Sequence, residues 1–128
     1  MDSKKLALLC RQHADEKKAE NVVVLDVRKL STVTDFFVVL SATSEPHMRA
    51  IAGEIIEKLE AQEDLRPRTV DGGMRASWMV LDYVDVIIHI MRAEARSHYD
   101  LEGLWGDAPR IKRRKTSIPR SAPLSKLA

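Results

Sequence analysis

Hydrophobic residues recur at helical spacing in two segments of the chain. The first segment follows Ser3, a residue type that favours a helix start, and its stripe consists of Leu6, Leu9, Cys10, His13 and Ala14. The second follows Thr43 and Ser44, with an acid and a proline in its first turn. Its stripe consists of Met48, Ile51, Ala52, Ile55, Ile56 and Leu59. We therefore predict two amphipathic helices, each with one face buried.

Runs of β-branched and aromatic residues predict five strands. Their ranges are Val22–Val27, Phe36–Leu40, Arg66–Asp71, Trp78–Asp82 and Asp85–Met91. Pro67 places the third strand at an edge, because proline cannot donate to a ladder of hydrogen bonds. Two short helical segments, about Ala93–His98 and Asp100–Trp105, close the pattern. This order predicts an α/β fold in which helices pack on a mixed five-stranded sheet.

The last two strands form a predicted hairpin with two unlike faces. Only Tyr83 and Val84 separate them, so Asp82 is expected to pair with Asp85. Side chains alternate between the faces of a sheet. One face is purely aliphatic and predicts the core side: Met79, Leu81, Val86, Ile88 and Ile90. The other face holds a mixed set: Trp78, Val80, Asp82, Asp85, Ile87, His89 and Met91.

The mixed face has two explanations that the pattern alone leaves open. Tryptophan and methionine are enriched at protein interfaces, where a few charges set orientation. Two opposed acids repel one another, and a basic partner would relieve that repulsion. The alternative is that loops or the C-terminal segment of the chain itself cover this face.

Charge divides the chain at Pro109. Seven of the 21 basic residues and none of the 19 acidic residues lie from Arg110 onward, which leaves 14 bases against 19 acids before it. We predict one domain over 1–109 and a disordered basic tail over 110–128. An acidic body favours a basic protein partner. The tail run Lys112-Arg113-Arg114-Lys115 is either a weak RNA contact or a solvated extension.

Signals for catalysis, metals and membranes are weak. The four histidines are scattered, and no metal-ligand spacing is evident. No phosphate-binding loop accompanies the Asp82/Asp85 pair, so we expect a protein that is not an enzyme and has no cofactor. No apolar run approaches the roughly 20 residues of a membrane span, and the N-terminus does not read as a signal peptide. The only cysteine, Cys10, excludes an internal disulfide and favours a reducing cytoplasm.

Several motifs resemble the Iojap-like ribosomal silencing factors. They are Thr34-Asp35-Phe36-Phe37-Val38 followed by Thr43-Ser44, then Trp78 with Leu81-Asp82-Tyr83, Asp85-Val86 and His89, and finally Tyr99-Asp100-Leu101-Glu102 with Leu104-Trp105-Gly106-Asp107-Ala108-Pro109. The resemblance covers about Leu6 to Pro109. The family often has glycine at the positions of Ala42 and Val84, and a β-branched residue resists the positive φ that a tight turn can require.

This resemblance implies a protein that binds the L-fourteen-type protein of the large ribosomal subunit and sterically blocks subunit joining. It also implies a fold like that of nucleotidyltransferases without their catalytic site. The tryptophan matching Trp78 belongs to the family's ribosome-binding surface, so we expect Trp78 to be the anchor. Val80, Ile87 and Met91 would extend the apolar patch, Asp82 and Asp85 would pair with basic groups, and His89 would be a weaker member.

Other functions stay open from the sequence. One is a large-subunit assembly factor that uses the same contact, and another is a divergent nucleotidyltransferase. The exposed face around Trp78 also permits a two-fold homodimer.

Overall fold

A computed structural model describes residues 1–72 and 77–111, and the predicted tail beyond Ile111 lies outside this range. The helices are α1 (Ser3–Glu16), α2 (Glu45–Glu63), α3 (Ala93–Tyr99) and α4 (Leu101–Leu104). The strands are β1 (Glu20–Asp26), β2 (Phe36–Ala42), β3 (Thr69–Asp71), β4 (Trp78–Asp82) and β5 (Val86–Arg92). The predicted order of elements is confirmed.

The five strands form one mixed sheet in the order β1-β2-β5-β4-β3. The central β2–β5 pair is parallel, and the other three pairs are antiparallel. β3 is an exposed edge strand of three residues, shorter than the predicted Arg66–Asp71. The fold class predicted from the sequence is therefore correct.

Capping residues mark both ends of α2, whereas the start of α1 differs from the prediction. The Ser44 hydroxyl accepts a hydrogen bond from the His47 backbone N–H at 3.1 Å, which caps α2 as predicted. Asp64 ends α2 in the left-handed conformation with φ 53°. At α1 the capping position is Asp2 rather than Ser3, and it makes no side-chain capping bond.

The inner face of the sheet forms the main core with α1 and α2. All five aliphatic residues predicted for this face are buried there with the α2 stripe. Tyr83 joins them with 7% of its surface exposed, and its amide donates to the Val86 carbonyl oxygen. Tyr83 therefore lies between β4 and the turn, where it pairs with Val86 and keeps its ring in the core.

The turn of the hairpin consequently lies at Val84 and Asp85, one residue later than predicted. The true register pairs Asp82 with Ile87, Val80 with His89 and Trp78 with Met91. The predicted pairing of Asp82 with Asp85 is therefore wrong. The partner of each β4 residue is shifted by two positions along β5. Because side chains alternate with a period of two, this shift leaves the side chains of both strands on their predicted faces.

The chain continues past the predicted boundary at Pro109 and lies along the outer edge of β1. The Asp26 amide donates to the Pro109 carbonyl, and the Ile111 amide donates to the Val24 carbonyl. Arg11 of α1 also donates to the Ile111 carbonyl at 3.1 Å. Arg110 and Ile111 thus contact the body of the domain.

Candidate partner-binding face

The outer face of the sheet is divided into a covered part and an accessible part. A second, smaller core lies beneath α3 and the Pro109 segment: Leu25, Val27, Val39, Met91, Ala95 and Ala108. Trp78, Val80, Asp82, Ile87 and His89 are only half-buried. The chain itself therefore covers one side of the mixed face and leaves the hairpin side accessible, and the interface explanation stays a prediction for that accessible side.

Four rings form a connected aromatic cluster on this face. The Trp78 indole N–H donates to His89 Nδ1 at 3.0 Å. The Phe37 ring lies 5.3 Å from the rings of both His89 and Trp105, between centroids. Phe37 comes from β2 and Trp105 follows α4, so three parts of the chain build one surface. We call Phe37, Trp78, His89 and Trp105 the aromatic cluster.

His89 is held in its neutral form. Burial lowers the pKa of His89 from 6.5 to about 4, because an imidazolium would lose its hydration there. Since Nδ1 accepts a hydrogen bond from Trp78, the proton of the neutral ring resides on Nε2. The histidine thereby fixes the orientation of the indole. His89 is thus a structural partner of Trp78 as well as a surface residue.

The two acids of the hairpin have different roles. The Asp82 carboxylate accepts from the Arg68 guanidinium at 2.6 Å and from the Val84 amide at 2.7 Å. Burial alone would raise the pKa of Asp82, but these hydrogen bonds outweigh it and leave the pKa below its ordinary value. Asp85 is exposed and forms no ion pair with any residue in the described ranges. Only Asp85 presents an uncompensated negative charge at the turn.

Val84 occupies a strained position in that turn. Its φ is 74°, and the Asp85 amide donates to the Tyr83 carbonyl across it at 2.9 Å. These two features describe a γ-turn of the strained kind. Val84 thus adopts a positive φ that a β-branched residue resists, whereas glycine would adopt it without strain.

An ion pair holds α3 and α4 against the sheet. Arg96 donates to Glu102 at 2.7 Å and to the buried Ser41 hydroxyl of β2 at 3.0 Å. The hydrogen bond from Arg96 lowers the pKa of Glu102. Because Trp105 follows α4 directly, this pair fixes the segment that places Trp105 against Phe37.

The predicted site residues divide accordingly. Trp78, Val80, Ile87 and His89 lie together on the accessible part of the outer face. Asp82 borders them with its charge paired, and Asp85 lies at the turn. Met91 is 0% exposed beneath the cover, so the predicted surface role of Met91 is wrong.

Sequence reasoning missed Phe37 and Trp105 as members of this surface. The position of Phe37 could have been predicted. Phe36 begins β2 and faces the core, so the next residue, Phe37, must face the outer side of the sheet. The position of Trp105 depends on how α3 and α4 fold back, which no periodicity encodes.

The helix layer contains a group of metal-ligand residues that the sequence spacing did not predict. One ligand atom each from His13, Glu16 and Glu54 lies within 4.8 Å of the other two. Separately, none of the described helices is long and apolar enough to cross a membrane.

Known proteins match this chain over nearly its whole length. The family described as ribosomal silencing factor during starvation matches residues 1–126. A ribosomal silencing factor from Halalkalibacterium halodurans is 35% identical over 112 residues, 88% of this chain and 95% of that protein. The mouse mitochondrial assembly of ribosomal large subunit protein 1 is 30% identical over 93 residues, 70% of this chain and 40% of that protein. A crystal structure from Chromobacterium violaceum shares the fold, with a TM-score of 0.79 and 22% identity over 97% of this chain and 99% of that one. The chain belongs to the ribosomal silencing factor family.

Proposed function

We propose that this protein binds the large ribosomal subunit through its L-fourteen-type protein and sterically blocks the joining of the small subunit. Translation is repressed as a result, without catalysis and without a cofactor. The contact is made by Trp78, Val80, Ile87 and His89, extended by Phe37 and Trp105. A cytoplasmic location belongs to the same proposal.

The accessible aromatic cluster is the observation that carries this proposal. Aromatic anchors dominate binding energy where their pocket excludes water. The indole of Trp78 is oriented in advance by His89, so little side-chain freedom is lost on binding. The exposed Asp85 lies at the hairpin turn and suits a basic surface.

Co-sedimentation with isolated large subunits tests the anchor. Trp78→Ala is expected to weaken binding about 30-fold, which corresponds to a hot spot of about 2 kcal/mol. Leu8→Ala on α1 is the matched control, because Leu8 is half-buried in the helix layer. Far-ultraviolet circular dichroism confirms that both variants fold.

Charge reversal tests the electrostatic part of the contact. Asp85→Lys is expected to weaken binding, and the effect should be larger at low salt because Coulomb forces then reach further. Glu57→Lys, at an exposed position of α2, should bind normally. Asp82 is a poor probe, because its reversal also breaks the pair with Arg68.

A subunit-joining assay tests the mechanism. Wild-type protein should lower the yield of joined ribosomes, and Trp78→Ala should restore it. If Trp78→Ala binds normally and still blocks joining, the hairpin face is not the docking surface. The segment from Tyr99 to Trp105 then becomes the next candidate.

The mouse relative favours one alternative, since its name refers to assembly of the large ribosomal subunit. An assembly factor could use the same face on a precursor particle. Depletion of the protein would then cause large-subunit precursors to accumulate, whereas a silencing factor would change only subunit joining. The nucleotidyltransferase alternative stays a prediction that nucleotide titration can test.

A further inference from the structure

His13 lies buried between α1 and α2 with two glutamates around it. Only 2% of its surface is exposed. Its Nδ1 lies 2.8 Å from Glu16 Oε1, one turn further along α1. Glu54 reaches the same place from α2, so that one atom from each of the three side chains lies within 4.8 Å of the others. Two acids therefore converge on a single buried imidazole.

Hydrogen bonding within the described chain satisfies Nδ1 of this ring, which faces Glu16, but not Nε2. Nε2 of His13 is buried and has no hydrogen-bond partner. If the ring is neutral with its proton on Nδ1, the lone pair of Nε2 has no donor. If Nε2 carries a proton, its N–H has no acceptor. Buried polar atoms without partners are uncommon in proteins and need an explanation.

We propose that His13, Glu16 and Glu54 form a site for a divalent transition-metal ion of the zinc class, which links α1 to α2. Zinc is bound by imidazole nitrogen and by carboxylate oxygen, and in sites with three protein ligands a water supplies the fourth. Magnesium and calcium prefer sites built from oxygen alone. The side chain of Glu16 is 47% exposed, so water reaches the site.

The side chains can close around such an ion. Zinc–ligand distances of about 2.0–2.2 Å require ligand atoms closer together than 4.8 Å. Glu16 is exposed and Glu54 is partly exposed, so both carboxylates can move inward while the buried ring stays in place. His13 and Glu16 share one helix face because they are three residues apart. The site lies in the helix layer, so it does not depend on the proposed ribosome contact.

Zinc titration of the full, untagged chain after chelator treatment tests this site. Isothermal titration should give one zinc ion per chain, and saturating zinc should raise the melting temperature by about 5 °C. Magnesium should do neither. Glu54→Gln should weaken zinc affinity at least about tenfold, since even outer-shell changes have effects of this size. Glu57→Gln, exposed on the same helix, is the matched control and should bind zinc like the wild type.

Two results would overturn the proposal. One is the absence of saturable zinc binding by the wild-type chain. The other is equal zinc binding by Glu54→Gln and Glu57→Gln. That result would show that zinc binds outside the His13 site, at histidines nearer the surface. Circular dichroism of Glu54→Gln without metal should match the wild type, which separates loss of a ligand from loss of folding.

Discussion

Replacing His89 with asparagine should flatten the dependence of stability on pH between pH 7 and pH 5. Burial lowers the pKa of His89 to about 4 in the folded protein, against 6.5 for an ordinary histidine. The unfolded chain therefore binds a proton in this interval and the folded chain does not. The contribution of His89 to stability is therefore fully present above about pH 6.5 and is lost as the pH falls towards 4.

The size of the effect follows from the two pKa values. Each pKa unit corresponds to about 1.4 kcal/mol, so the full interval contributes about 3 kcal/mol to the free energy of unfolding. Most of this, about 2 kcal/mol, is lost between pH 7 and pH 5. The carboxylates whose pKa values are lowered, among them Asp82 and Glu102, lose their contribution only at lower pH.

Urea unfolding followed by circular dichroism measures this difference. Asparagine keeps an acceptor near the position of Nδ1, so the hydrogen bond from Trp78 can persist. The absolute stability of His89→Asn will be lower because the ring contacts are lost, and the decisive quantity is the change between the two pH values. His98→Asn, at an exposed histidine, should retain the wild-type change. Equal changes in the wild type and in His89→Asn would refute the reasoning.

Three further predictions concern stability. Asp64→Gly should raise the free energy of unfolding by about 1 kcal/mol, because it relieves a left-handed residue and removes a negative charge at a helix C-terminus; thermal melts measure it, and a fall would contradict it. Arg96→Ala should lower that free energy by about 2 kcal/mol, since Glu102 and the buried Ser41 lose their donor. An unchanged urea midpoint would show that the contacts of Arg96 do not hold α3 and α4 against the sheet. Deleting residues 112–128 should leave the urea midpoint unchanged. A loss of folding would show that the domain needs residues of the predicted tail.

The fold could be predicted where side-chain periodicity and burial agree. The stripe of α2 and its Ser44 cap needed only local information, because a capping bond spans three residues. The two faces of the hairpin were also predictable. The register was not, since it depends on whether Tyr83 is buried with the core or exposed in the turn.

The candidate site was predictable only in part, because its members come from segments distant in sequence. Alternation correctly placed Trp78 and His89 on the outer face. It could not show that α3 and the Pro109 segment cover Met91, or that Trp105 returns to contact Phe37. His13 and Glu54 are likewise brought together only by the packing of two helices.

Edge-to-edge growth of this sheet is limited by the way in which the chain lies along β1. Backbone groups of Val24 and Asp26 already bond to Ile111 and Pro109, so a foreign strand meets few open donors there. Within the described ranges, the outer edges that remain are the first four residues of β1, 20–23, and the short strand Thr69–Asp71. Fibrils built by strand addition need two open edges on every copy. Strand addition would therefore be confined to four residues at β1 and three at β3.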